Sequence, residues 1–167
     1  MMQAWSDPVP YDLSRTRRRA SVPRKLAVSV PERPGTYAIY RIRQASVCDA
    51  VIDVGEAGPR SDSTPKGLRG RLATTVAHAA SEKIASDISG SRLPDELHVV
   101  WVERQSKEDA RELQNALITL FHQECGRQPR YNIKLEHHPK AGAFLPLYTA
   151  LKTRIESDSC PPTTRCS

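Results

Sequence analysis

Two short alternating runs joined by a short link constrain this chain more than any other feature. Residues 35–43 place Tyr37, Ile39 and Arg41 on one face and Ala38, Tyr40 and Ile42 on the other, which is the period of a β-strand. Residues 49–55 read as a second strand, and the link at 44–48 predicts an antiparallel hairpin. A turn centred near residue 45 sets Tyr37 opposite Asp53. Residues opposite one another across such a ladder project from the same face. This tyrosine and this aspartate are therefore expected to share one site.

The chain beyond the hairpin supplies helices and one further strand. Residues 56–66 read as a loop rich in glycine, proline and serine. From Gly67 to about Ala85 the period is helical, with Leu68, Leu72 and Val76 inward. Arg71 and His78 then lie two turns apart on one helix face. After a loop at 86–94, residues 97–102 are apolar almost throughout, as a central strand would be. Ser106 and Asp109 make a capping-box-like start. Ala110, Leu113, Leu117, Leu120 and Phe121 form the apolar stripe of a helix running to about Glu124 or Cys125, with Gly126 placed as its C′ residue. Residues 144–156 predict a last helix.

Four segments follow from this pattern: a basic, flexible N-terminal arm at 1–30, a core domain at 31–135, an extension with a short helix at 136–157, and a disordered tail at 158–167. A chain of 167 residues can bury about two-thirds of its unfolded surface, so it folds without staples. It holds no apolar run of about 20 residues, so no membrane partner is expected. The formal charge is +6, which favours a polyanionic partner. Arg15, Arg17, Arg18, Arg19, Arg24 and Lys25 fall within a stretch that contains no acid. Such a stretch is either a solvated arm or one that neutralises phosphates, and the two are compatible. Cys48, Cys125, Cys160 and Cys166 form no CxxC pair. Neither a zinc site nor a redox motif is suggested, and a reduced, cytoplasmic context is the simplest expectation. His98, His122 and the pair His137-His138 show no ligand-like spacing and are assigned no site.

Gln114 stands out by position. It falls four residues after Ala110 and three before Leu117, on or beside the buried stripe, where a polar side chain needs partners. It is either a core glutamine satisfied by backbone groups or part of a site. Asp53 is also conspicuous, since aspartate is unfavourable in a strand among apolar neighbours.

Taken in order, Gly35-Thr36-Tyr37, Asp53-Val54-Gly55, the helix bearing Arg71, Leu113-Gln114-Asn115-Ala116-Leu117-Ile118 and Pro129-Arg130-Tyr131-Asn132 resemble the GIY-YIG nuclease family over about residues 34–132. The resemblance implies a small α/β domain of the α+β kind, with a three-stranded antiparallel sheet flanked by helices. It implies metal-dependent phosphodiester hydrolysis of DNA with Mg2+ or Mn2+, by a small stand-alone endonuclease of restriction or repair type. One strand is cut per active site, so double-strand cleavage would call for a homodimer or two events.

The family's residue roles carry over position by position. Tyr37 matches the tyrosine that positions or deprotonates the attacking water. Arg71 matches the helix arginine that clamps the scissile phosphate, with Arg69 as its neighbour. His78 resembles a histidine that some members place after that arginine, where it can bond a phosphate or move a proton. Gly35, Gly55 and Asn132 fill structural positions, Asn132 tying the chain to the hairpin. Gln114 stands where the family has its metal-ligand glutamate, and a neutral amide is a poorer ligand for a hard divalent ion. Glu112 cannot step in, because two residues along a helix are about 200° around the axis. Asp53 replaces a tyrosine. It either supplies the carboxylate that Gln114 lacks, with Glu56 nearby, or is a hydrogen-bonded edge aspartate. The resemblance thus leaves two functions open: an endonuclease, or a catalytically inactive module that binds nucleic acid or a protein partner.

Overall fold

The computed structural model describes residues 4–11, 14–16, 19–21, 29–58, 66–73, 79–90, 96–134 and 137–159. Its elements are β1 (Val9–Pro10), β2 (Ser14–Thr16), β3 (Arg19–Ser21), β4 (Gly35–Arg41), α1 (Val47–Ala50), β5 (Val51–Ala57), α2 (Gly67–Leu72), α3 (Ala79–Ser89), β6 (Leu97–Glu103), α4 (Lys107–Cys125), a 3-10 turn (Ala141–Phe144) and α5 (Leu145–Ser159). The fold is α+β: a four-stranded antiparallel sheet in the order β1-β6-β4-β5, packed against helices. β2 and β3 pair separately as a small hairpin.

The expected sheet had three strands; the fourth comes from a segment read as a flexible arm. Trp5 and Tyr11 are its anchors, both buried. Ser6 N–H donates to Trp101 O at 2.8 Å and Tyr11 N–H donates to Leu97 O at 2.7 Å, which lays β1 along β6. Pro10, which has no N–H to give, sits on this edge strand, where a ladder tolerates it. Two buried aromatics supply an apolar driving force that the polar composition of the segment conceals.

Alternation divides the sheet as the sequence predicts. Ala38, Tyr40, Val54, Val100 and Val102 face one cluster with the stripe of α4 and with Tyr148, Leu151 and Ile155 of α5. Tyr37, Ile39, Ile52, Val99 and Trp101 face the other, with Leu68, Leu72 and Ile84 of α2 and α3. The register differs by two residues from the expected one. Tyr37 lies opposite Gly55, and Asp53 lies opposite Ile39, with an irregularity at Ile39/Tyr40. The link holds one helical turn, α1, capped by Ser46, whose Oγ accepts from Asp49 N–H. This turn starts β5 at Val51 rather than 49. A shift of two preserves the side-chain face, so Tyr37 and Asp53 still project together.

α4 begins and ends where expected. Ser106 Oγ accepts from Asp109 N–H at 3.0 Å, and Gly126 takes the left-handed conformation at φ 67°, which favours glycine. The helix expected from Gly67 to about Ala85 is described as two pieces, α2 and α3, and α3 continues to Ser89 through residues read as loop. α5 runs to Ser159, so the start of the expected tail is helical. There Asp158 accepts from Tyr40 Oη at 2.6 Å and meets His98 Nδ1 at 2.7 Å. No helix among the described residues is long and apolar enough to cross a membrane.

The cysteines depart from the expectation of free thiols. Cys48 of α1 and Cys125 at the end of α4 form a disulfide. Such bonds persist mainly in oxidising compartments, so cysteine usage no longer favours a reduced one. Cys160 and Cys166 lie outside the described residues.

Candidate functional site

β5 is the outer strand of the sheet, and a cleft of about 630 Å³ lies along it. Tyr37 enters from β4, Asp53, Gly55 and Glu56 from β5, Arg71 from α2, and Lys107, Arg111 and Gln114 from α4. Tyr131, Asn132, Ile133 and Lys134 complete the lining. The cleft thus gathers the expected residues Tyr37, Asp53, Arg71 and Gln114 from four separate elements.

Residues 131–132 act as a short substitute strand on this edge. Tyr131 N–H donates to Ile52 O at 2.9 Å. Val54 N–H donates to Asn132 Oδ1 at 3.0 Å, and Asn132 Nδ2 donates to Val54 O at 2.7 Å. One side-chain amide therefore meets both backbone groups of Val54, as a neighbouring strand would. This is the structural role expected of Asn132. It also covers an edge that would otherwise recruit another chain.

Gly55 is required by a close approach. The Tyr37 ring crosses directly over it, and a Cβ at residue 55 would overlap the phenol Cζ and Oη. Tyr37 is 1% exposed and has little room to withdraw. Gly55→Ala is expected to cost about 2 kcal/mol by overpacking and to move the phenol away from Asp53. Thermal unfolding together with the near-ultraviolet tyrosine signal would report both changes; an unaltered melting curve would mean that the ring yields freely.

Burial dominates the electrostatics of the cleft floor. Asp53 is 3% exposed, and its carboxyl is pushed up to about 7 by desolvation, against the opposing pull of the Arg71 charge and of hydrogen bonds from Tyr37 and the Val54 N–H. Burial, reinforced by the nearby Asp53 charge, raises the Tyr37 phenol well above its ordinary value, with Arg71 only partly offsetting it. Tyr37 therefore keeps its proton at neutral pH, and Asp53 is the group on this floor that exchanges one near neutrality. Asp53 Oδ2 and Arg71 Nε are both buried and have no hydrogen-bond partner among the described residues. Buried polar atoms of this kind call for an explanation.

Other expected site residues fall elsewhere. Arg69 lies outside the cleft: its Nε donates to Val30 O at 2.7 Å and its Nη1 meets Glu32 at 2.9 Å. Arg17, Arg18, Arg24, Lys25 and His78 lie outside the described residues, and only the backbone of Arg19 is described, in β3. His138, to which the sequence assigned no site, pairs with Glu112 at 3.4 Å, away from the cleft lining.

Tyr11 was not anticipated. It is fully buried, bonds Ser81 Oγ at 3.0 Å, and feels the charges of both Asp53 and Arg71. Burial pushes its phenol up to about 12, although the Ser81 bond opposes this. Lys107, Arg111 and Lys134 were not anticipated either. In sequence they resemble any solvated charge, and only the packing of α4 beside β5 brings two of them to the cleft.

The donor set does not fit the divalent ion that the resemblance implies. Such an ion prefers ionised carboxylates. The carboxylates on the lining are Asp53 and Glu56, and Gln114, at the expected ligand position, is neutral, with its Nε2 donating to Val54 O at 3.2 Å. Among the described residues no group of three His, Cys, Asp or Glu side chains gathers to hold a metal. The arrangement instead offers cations from α2, from α4 and from the segment after α4, namely Arg71, Lys107, Arg111 and Lys134, around one buried carboxyl.

Comparison with protein-family models, with curated proteins and with solved structures finds no match for this chain.

Proposed function

We propose that the cleft along β5 is a phosphodiester-binding site of the GIY-YIG kind, and that the chain binds DNA there without hydrolysing it. One observation carries this reading: Arg71 Nε and Asp53 Oδ2, a buried donor and a buried acceptor, lie unpartnered among the described residues in a cleft that also receives Lys107, Arg111 and Lys134. A phosphodiester offers anionic oxygens to the guanidinium, and a water beside it offers a proton to the carboxyl. The order of motifs from Gly35 to Asn132 supports the family assignment. The amide at Gln114, where the family has its metal-ligand glutamate, supports binding over turnover.

A metal-dependent endonuclease is the second reading. It is favoured by Tyr37 and Arg71, which line the cleft together with a second carboxylate, Glu56. On that reading a homodimer would serve double-strand cleavage.

Plasmid nicking with Mg2+ or Mn2+, run beside a DNA-binding titration, separates the readings. The expected result is no nicking by the chain itself and affinity that drops roughly a hundredfold between 50 and 200 mM salt, for about four phosphate contacts. Gln114→Glu supplies the missing carboxylate and is expected to gain nicking. Nicking by the unaltered chain would establish the endonuclease instead. Absence of DNA binding by either form would remove the nucleic-acid assignment.

A further inference from the structure

Ile133 is 88% exposed, and among the described residues only Leu145 joins it as an exposed large apolar side chain. A single exposed isoleucine ordinarily needs no explanation. Three features set this one apart. It stands on the wall of the cleft, beside Lys134 and in the company of Lys107 and Arg111. It follows the most firmly fixed stretch of the edge: Asn132 is doubly bonded to Val54, and Tyr131 bonds Ile52 O through its N–H and Asp87 Oδ2 through its hydroxyl at 2.7 Å. It is also β-branched, so its side chain is stiff at χ1. An apolar group set directly after a fixed stretch of chain and among cations fits a partner with an anionic backbone and an apolar interior.

Resting on the DNA-binding reading above, we propose that Ile133 is a wedge that enters the base stack beside the phosphate held over Arg71. The cleft's substrate class is then duplex DNA that opens at one step. Apolar side chains that enter a stack partly unstack it and kink the duplex. The cost is smallest where the stack is already weak, so mismatched or flexible pyrimidine–purine steps are favoured. Lys134, next in the chain, then meets the phosphate flanking the opened step, while Lys107 and Arg111 hold the backbone from α4.

The test uses the full chain and duplexes carrying 2-aminopurine at successive positions, with binding followed separately by anisotropy. Emission at one position is expected to rise severalfold on saturation. Ile133→Ser should abolish the rise at saturation while keeping the salt slope of binding, because the phosphate contacts that set that slope come from other residues. The unaltered chain should prefer a mismatched duplex about tenfold over a matched one, and Ile133→Ser should lose that preference. Lys134→Gln should weaken binding and keep the emission change at saturation. Binding with no emission change, or the same change in Ile133→Ser, overturns the wedge and leaves the DNA-binding reading intact. Self-association that disappears in Ile133→Ser would assign the side chain to a contact between copies and overturn the wedge equally. Absence of any binding removes both readings together.

Discussion

Replacing Cys48 and Cys125 together by serine is expected to lower the unfolding free energy by about 4 kcal/mol, the chain-entropy value for a loop this long. The two residues are 77 apart in sequence, and the segment they enclose contains β5, α2, α3, β6 and nearly all of α4. Uncrosslinked, the unfolded chain regains the freedom of that whole loop. For a protein of this size the melting temperature should fall by roughly 8–16 °C. Reduction of the unaltered protein by dithiothreitol should reproduce the shift, which separates the loss of the bond from any effect of serine packing. A shift under about 2 °C in both experiments would mean that the crosslink constrains nothing. Trapping of thiols in intact cells then tests the cytoplasmic expectation, because a bond that persists there requires an oxidising surrounding or protection from reductant.

The disulfide also shows where sequence reading runs out. Nothing in the spacing of four scattered cysteines says that α1 and the end of α4 are neighbours; only the packing of helix on sheet does. Trp5 and Tyr11 were illegible for a related reason. A two-residue edge strand is shorter than any periodicity window, and isolated aromatics in a polar, arginine-rich stretch carry no pattern. By contrast, the hairpin faces were legible because period-2 alternation survives an even shift in register. The one-turn helix at Val47–Ala50 moved Tyr37 from Asp53 to Gly55 without changing its face. α4 was legible end to end because Ser106, Gly126 and the apolar stripe agree. Within the candidate site, Asp53 and Gln114 stood out in sequence because each breaks a local rule, Tyr37 because it shares a hairpin face with Asp53, and Arg71 through the family resemblance alone. Lys107, Arg111 and Lys134 could not, since a surface cation breaks none.

Asp53 is expected to make the fold less stable as pH rises from about 4 to about 7, and Asp53→Asn is expected to remove that dependence. The sign follows from where the proton is held more tightly. The carboxyl is raised from an ordinary 3.8 to about 7 in the folded chain, so between those values the native state binds a proton that the unfolded state has released. Stability then falls with rising pH across the window. The contribution is fully present below about 4 and lost once pH passes about 7. A shift of this size corresponds to a few kcal/mol, on the order of 1.4 for each unit. Near pH 4 the two proteins should unfold alike, whereas at pH 8 the asparagine form should be the more stable by about 2 kcal/mol or more. The comparison is made as a difference because other carboxylates titrate in the same range in both. A pH-independent difference would mean that the folded chain holds the Asp53 proton no more tightly than the unfolded one. Above about pH 7 the buried carboxyl is ionised at a standing cost that asparagine, of the same shape, would relieve. Such locally unfavourable choices concentrate where a chain does its work. Here the carboxyl sits against Arg71, on the floor of the cleft where a phosphate is proposed to lie. A carboxyl kept at that point at the expense of the fold's stability fits a site along β5 where Arg71 also stands.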